Sequence, residues 1–308
     1  MMDETARFGR RHSTGPQLSP GRLAQIACLM EVTARKPGNV HRCADLPRLH
    51  FMEFVLSATA IAEPLDRAAT TGVGRAVLDA IEATRRVVST NTNLGIVLLL
   101  APLAAVADEA TLAEGVEAVL ASTTVDDARD VYRAIRLAQP GGLGDVAEQD
   151  VAQEPTISLR SVMGLAAERD SIARQYANGF QQVFGEAMPA LRASLDAGMP
   201  LETAIIFCYL RLLARHPDSL IARKYGPAWA HEVSRRAAEL LDAGWPVERD
   251  AHRLLETFDS WLRHPVNRFN PGTTADLVTA ALYVALRDGI VNLAAMSAIW
   301  EKAGAISQ

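Results

Sequence analysis

From Leu94 to Ala107 the chain reads LGIVLLLAPLAAVA, without a single charge, and this stretch limits what the rest can fold into. A helix that is apolar on every side cannot lie on a surface, so other elements must enclose it. The run is too short to span a bilayer, which takes about 20 residues, and Gly95 and Pro102 interrupt it. A central helix over 93–107, surrounded by others, is the expectation.

The surrounding elements also read as helices. Ser19 and Pro20 form a cap and a first-turn proline, and Leu23, Ile26, Ala27 and Met30 fall on one face of the helix they begin. Helical spacing predicts further helices over 48–63, 73–88, 111–121, 125–138, 158–196, 201–215, 228–242, 247–263 and 274–300. No stretch alternates with period two between turn signals, so no sheet is expected. The fold class is all-α, a single large helical bundle with a buried central apolar helix. The chain has 308 residues, 49% of them hydrophobic, enough for a large core. Without a linker rich in proline, glycine or serine, and without a tandem repeat, it reads as one helical domain over 19–308 behind a polar, flexible lead-in at 1–18.

Charge and cysteine content exclude several classes. A net charge of -5 with no basic run argues against a nucleic-acid or membrane-surface binder, so any basic site is local. Cys28, Cys43 and Cys208 have neither zinc nor redox spacing and read as reduced thiols of a cytoplasmic protein. The lead-in lacks the apolar core of a secretory signal.

In a helical bundle, chemistry is expected at helix ends and turns. The first polar turn is Lys36-Pro37-Gly38-Asn39-Val40-His41-Arg42, with Glu31 one turn before it. Pro37 and Gly38 stop the helix, leaving an exposed Lys36 beside donors that suit an anionic oxygen. The second, Ser89-Thr90-Asn91-Thr92-Asn93, carries more polar groups than a cap needs to the start of the central helix, a favourable place for phosphate. The third, Gln139 to Asp145, has Gly141, Gly142 and Gly144 to let backbone donors approach a ligand, and Asp145 and Glu148 to hold magnesium. In the fourth, His216 to Gly226, Asp218 caps a short helix that carries Arg223 and Lys224, and Asn270 to Asp276 repeats the polar cap before an apolar helix. Each turn alone is more often a structural helix terminator than a catalytic site. Asp126-Asp127-Ala128-Arg129-Asp130 has the DDxxD spacing of magnesium–diphosphate sites, but acids in a first helical turn need no such role and no second motif matches it.

The order and spacing of these turns resemble one family, the triphosphoribosyl-dephospho-CoA synthases, which make the prosthetic-group precursor of citrate lyase and malonate decarboxylase carrier proteins. The resemblance runs from about 23 to 288. It rests on Glu31 followed by Lys36-Pro37-Gly38-x-Val40, Asn91-Thr92-x-x-Gly95, the glycine turn at 141–144, Asp218 to Arg223, and Asn270-Pro271-Gly272-x-x-Ala275-Asp276. It implies an all-helical enzyme that moves the 5-triphosphoribosyl group of ATP to the ribose 2′-hydroxyl of 3′-dephospho-CoA, releasing adenine, with Mg2+ accompanying ATP. Such a glycosyl transfer passes through an oxocarbenium-like state, so a carboxylate base, a donor to the leaving base and a triphosphate clamp are expected.

By this resemblance Glu31, or a carboxylate near it, is the candidate base or magnesium partner. Lys36, Asn39 and Arg42 face phosphate, and Asn91 and Asn93 orient ribose or base. Gly38, His41, Thr92, Gly142, Gly144 and Arg223 join the nucleotide site, and Asp45, Asp145 and Asp218 are the magnesium ligands. The implied partners are ATP and dephospho-CoA, with a homo-oligomer left open. Two departures stand out: His41 replaces a family aspartate, and Asn93-Leu94 replaces histidine-lysine, losing a cation that Arg42 could replace. Two further readings stay open, a related nucleotide-dependent transferase in cofactor biosynthesis with a different acceptor, and a non-catalytic helical scaffold with its polar turns scattered.

Overall fold

The computed structural model describes residues 18–108, 110–141 and 149–293, and every regular element among them is helical. Helix α1 (Pro20–Thr33) leads into the first polar turn, and α2 (Phe51–Ala60), α3 (Ala62–Asp66), α4 (Ala68–Thr71) and α5 (Val73–Val87) follow. The central helix is α6 (Leu94–Ala104), then come α7 (Leu112–Ala121), α8 (Val125–Ala138), α9 (Leu159–Ala166) and α10 (Ser171–Asn178). A π-helical turn at Val183–Ala187 runs into α11 (Met188–Asp196). The chain continues with α12 (Leu201–Arg215), α13 (Ser219–Tyr225), α14 (Pro227–Asp242), α15 (Arg249–Arg263) and α16 (Gly272–Arg287).

Helix α6 is enclosed as its composition requires. Leu94 and every residue from Ile96 to Ala104 are buried, against α1, α5, α7, α10 and α16 among others. Pro102 has no N–H to return to the Leu98 carbonyl, and the Tyr176 hydroxyl of α10 donates to that oxygen instead, at 2.6 Å. At the other end Arg287 of α16 donates to the carbonyls of Leu103 at 3.0 Å and Val106 at 2.7 Å, groups that no helical N–H can satisfy. Helix α16 is itself buried without a break from Leu277 to Leu286. The buried apolar side chains form one continuous cluster from Leu23 to Val291. No helix among the described residues is long and apolar enough to cross a membrane.

Three expected helices have different ends. The stretch 158–196 is broken because Asp170 caps α10 by accepting from Ile172 and Ala173, and Gly179 ends it with φ 68°. The helix expected from 48 begins at Phe51, since Leu46 and Leu49 pair through their backbones and the carboxylates of Glu53 and Asp45 accept from the N–H groups of His50 and Phe51. The helix from 274 stops at Arg287, just before Gly289 turns left-handed at φ 70°. The DDxxD stretch is a cap: Asp127 accepts from Thr124 and from Gly74 N at 2.8 Å, while Asp126 and Asp130 pair with Arg129 and Arg133.

Candidate functional site

The polar turns are not scattered. They line one cavity of about 1210 Å³, walled by Asn39, by Asn91 to Gly95, by Gly141, by Ser219, Arg223 and Lys224, and by Asn270 and Asp276, with the buried Glu31 of α1 at its wall.

The first turn is held rigidly. Gly38 has φ 73°, its N–H donates to Asp259 Oδ1 at 2.7 Å, and a Cβ there would stand 2.7 Å from Leu262 Cδ1. The Tyr209 hydroxyl donates to the Pro37 carbonyl at 2.9 Å. Arg263 grips Asp259 at 2.8 Å and also donates to the Asn39 carbonyl. Asn39 Nδ2 donates to Asn270 Oδ1 at 2.9 Å, tying the first turn to the last.

Lys36 is a correction. The expected exposed lysine is fully buried: its ammonium donates to the carbonyls of Glu31 at 2.5 Å and Ala34 at 3.2 Å, and stands 2.9 Å from Glu31 Oε1. The turn folds the side chain back under the end of α1, whose last carbonyls lack helical donors. Burial pushes the lysine down and the Glu31 carboxyl up, while their mutual attraction holds each toward its charged form. Lys36 thus sits behind the cavity wall and fixes Glu31, which does line the cavity.

Arg42, His41 and Gly38 also fall outside the lining. Arg42 is committed to Glu202 at 2.8 and 2.9 Å and to the Thr33 carbonyl at 2.6 Å. His41 Nδ1 accepts from Cys43 N at 3.2 Å. Burial and the charges of Arg263 and Lys36 push it down from 6.5 to about 4, so it is neutral at neutral pH. The phosphate contacts expected of Lys36 and Arg42 are therefore not supplied by these side chains.

In the second turn Thr90 Oγ1 donates to Glu53 Oε1 at 3.0 Å, Thr92 and Ser57 share a 2.6 Å hydroxyl contact, and Asn93 Nδ2 donates to Thr84 Oγ1 at 3.0 Å. Thr92 and Asn93 thus bracket the turn onto α2 and α5. Asn91 Oδ1 caps α6 by accepting from Leu94 N at 3.2 Å, and its amide nitrogen has no partner among the described residues. Of the third turn, Gly142, Gly144 and Asp145 lie outside the described residues. Gly141 lies against Lys224, whose Cε would be 3.3 Å from a Cβ there.

Asp218 and Asp45 are corrections as metal ligands. Asp218 is buried, with Oδ1 accepting from Leu220 N at 2.9 Å and Ile221 N at 3.1 Å, and Oδ2 accepting from Thr274 N and Oγ1, both at 2.8 Å. Its oxygens are spent on joining the start of α13 to the start of α16. Asp45 is exposed, accepting from Phe51 N at 2.7 Å and pairing with His50 at 3.1 Å. Among the described residues no group of three histidine, cysteine, aspartate or glutamate side chains gathers as a metal site. Arg223 lines the cavity, paired with Asp170 at 3.0 Å, and its Nε is buried without a partner.

Four lining residues had not been singled out as site residues. Asp276 of α16 is partly buried at the cavity wall, so close to α6 that a Cβ on Gly95 would stand 2.0 Å from its Oδ2. It makes no hydrogen bond or ion pair among the described residues. Burial and the nearby Glu31, Asp218 and Asp170 hold its carboxyl well above the usual range, outweighing Arg223. Its signal was present: a lone acid in an otherwise uncharged stretch from Gly272 to Leu286. Arg48, Arg169 and Lys224 are exposed cations on the cavity with no ion pair among the described residues. Nothing distinguishes Arg48 and Arg169 from other surface arginines in the sequence.

This chain has similar relatives. A protein of Pectobacterium atrosepticum named 2-(5''-triphosphoribosyl)-3'-dephosphocoenzyme-A synthase is 34% identical over 102 residues, 33% of this chain and 32% of that protein. One of Vibrio cholerae, named a probable synthase of the same kind, is 33% identical over 104 residues, 34% of this chain and 33% of its own length. The chain thus spans about a third of the length of these relatives. A crystal structure from Archaeoglobus fulgidus, provisionally assigned as a triphosphoribosyl-dephospho-CoA synthase, superposes with a TM-score of 0.60 at 26% identity, over 76% of this chain and 99% of that one. The family model of the ATP:dephospho-CoA triphosphoribosyl transferases matches residues 17–293, and the chain belongs to that family.

Proposed function

We propose that this protein is a transferase that moves the 5-triphosphoribosyl group of ATP to the ribose 2′-hydroxyl of 3′-dephospho-CoA and releases adenine. The observation that carries the reading is one large cavity on which the polar turns converge, lined both by carboxyl groups and by exposed cations that form no ion pair among the described residues. Its volume of about 1210 Å³ exceeds the roughly 300–1,000 Å³ of an ordinary one-ligand site, as a site for a nucleoside triphosphate and a coenzyme must. Arg48, Arg169 and Lys224 are exposed and form no ion pair among the described residues, so they are open to phosphate oxygens, and Arg223 lines the cavity beside them. They make up for the family lysine replaced by Leu94, which itself lines the cavity. The Asn91 amide is the available donor for ribose or base.

Magnesium belongs to this reading as part of the substrate. The described residues build no cage for it, and Mg2+ is commonly held through phosphates and water with few protein ligands. It enters bound to the triphosphate. A cytoplasmic setting agrees with three cysteines that are all unpaired, Cys43 in an exposed position.

Chromatography of the protein incubated with ATP, Mg2+ and dephospho-CoA should show adenine appearing in step with the triphosphoribosylated coenzyme. No adenine with dephospho-CoA, but adenine with another cofactor precursor, would instead establish the transferase with a different acceptor, the reading that Leu94 favours. No adenine with any acceptor would remove the transferase reading.

A further inference from the structure

We propose that Asp276 is the general acid of this site, the group that gives a proton to the adenine ring as its bond to ribose breaks. The inference rests on the triphosphoribosyl-transfer reading and adds a residue and a role to it. Adenine leaving without a proton would carry the electron pair of the C1′–N9 bond as an anion, a poor leaving group. A neutral carboxylic acid beside a ring nitrogen removes that charge as it forms.

Of the acids on the cavity, Glu168 is exposed and Asp150 accepts from Ala152 N at 2.8 Å, and the geometry selects Asp276 from the other three. Asp170 caps α10 and pairs with Arg223. Glu31 stands 2.9 Å from the buried ammonium of Lys36. Asp276 alone of these three has no hydrogen bond or ion pair among the described residues, and its carboxyl lies against Gly95 in the first turn of α6, on the cavity that Asn91 also lines. The side chains facing it are acids or a thiol: Glu31 and Cys28 on α1, Asp218 before α13 and Asp170 before α10, with Arg223 the opposing cation. The positive end of α6 favours the carboxylate, but burial and the neighbouring Glu31, Asp218 and Asp170 outweigh it and hold the carboxyl well above the usual carboxylate range, toward the protonated form that a general acid needs.

The step balances. The acceptor 2′-oxygen bonds to C1′ while C1′–N9 breaks, and the electron pair of that bond goes to adenine. The Asp276 proton goes to a ring nitrogen of adenine. The acceptor's hydroxyl proton passes to solvent, from which Asp276 is recharged, so neutral adenine leaves with no net proton change.

The test compares two donors, magnesium–ATP and a 4-nitrophenyl riboside 5-triphosphate, whose nitrophenolate leaves without being protonated. With wild type, kcat for adenine release should fall as pH rises through the Asp276 titration, while kcat for the nitrophenyl donor shows no such limb. Asp276→Asn should lower kcat with ATP by about 100-fold or more, leave the KM for ATP within about threefold, and keep the nitrophenyl rate near that of wild type. A wild-type ATP profile without the descending limb overturns the proposal, and this arm needs no variant to fold. Equal losses on both donors, or adenine release by Asp276→Asn at the wild-type rate, overturn it too while leaving the transferase reading intact. Wild type that releases no adenine with any acceptor removes both.

Discussion

Lys36 and Glu31 carry opposite charges into a place without water, 0% and 3% exposed at their side chains. Such a pair gains little over an apolar one, because desolving two ions offsets most of their attraction, yet removing one partner strands the other. Lys36→Met should therefore lower stability by about 3–5 kcal/mol, seen in the midpoint of denaturant unfolding, and Lys36→Met with Glu31→Met should cost less than the sum of the single changes. A Lys36→Met protein as stable as wild type would refute the buried pair. This reverses what Lys36 suggests in sequence, where a lysine before Pro-Gly looks like an exposed helix end. That turn was legible, since Pro37 and Gly38 dictate it. The direction of the side chain was not, because it depends on how the turn is gripped by Asp259, Arg263 and Tyr209, more than 170 residues away.

Among elements, α6 shows how a helix that must be buried has its polar backbone satisfied by its neighbours. Tyr176→Phe strands the Leu98 carbonyl that Pro102 cannot serve, at a cost of about 1–3 kcal/mol. In a Pro102→Ala background residue 102 regains an N–H for that carbonyl, so the same Tyr176→Phe change should cost less. Thermal or denaturant unfolding of the four proteins should give a coupling of about 0.5–3 kcal/mol. Zero coupling would mean that the hydroxyl and the proline do not share that oxygen. Helices such as α8 and α12 coincide with the spans their periodicity predicts, 125–138 and 201–215, because an amphipathic face repeats through each. The stretch 158–196 hid its breaks: Asp170 and Gly179 are ordinary residues in an amphipathic pattern until a cap and a left-handed turn use them. The partner of Pro102 was likewise hidden, since Tyr176 lies 74 positions along the chain, beyond any local rule.

Taken as a whole, the molecule draws its cavity from α1, the turn before α6, α13 and α16, segments that meet only when the core has formed. The chain order of the polar turns was readable, and so were Glu31, Asn39, Asn91 and Arg223 as candidates. Their convergence was not, nor were Arg48 and Arg169, because only the fold decides which surface arginines overlook a cavity. Since the site exists only in the folded state, magnesium–ATP should raise unfolding stability by mass action, by about 2.7 kcal/mol at 100 times its Kd. Arg48→Ala and Lys224→Ala test where that stabilisation originates. Both side chains are exposed and form no ion pair among the described residues, so the ligand-free proteins should melt as wild type does, within about 0.5 kcal/mol. At a fixed concentration of magnesium–ATP each should lose part of the stabilisation, since a charge-assisted contact contributes about 1.5–3 kcal/mol to binding. Melting curves with and without magnesium–ATP measure both quantities. If the two variants keep the full ligand-induced shift, the triphosphate does not lie against Arg48 and Lys224, and the phosphate end of the cavity must be sought at Arg169 and Arg223.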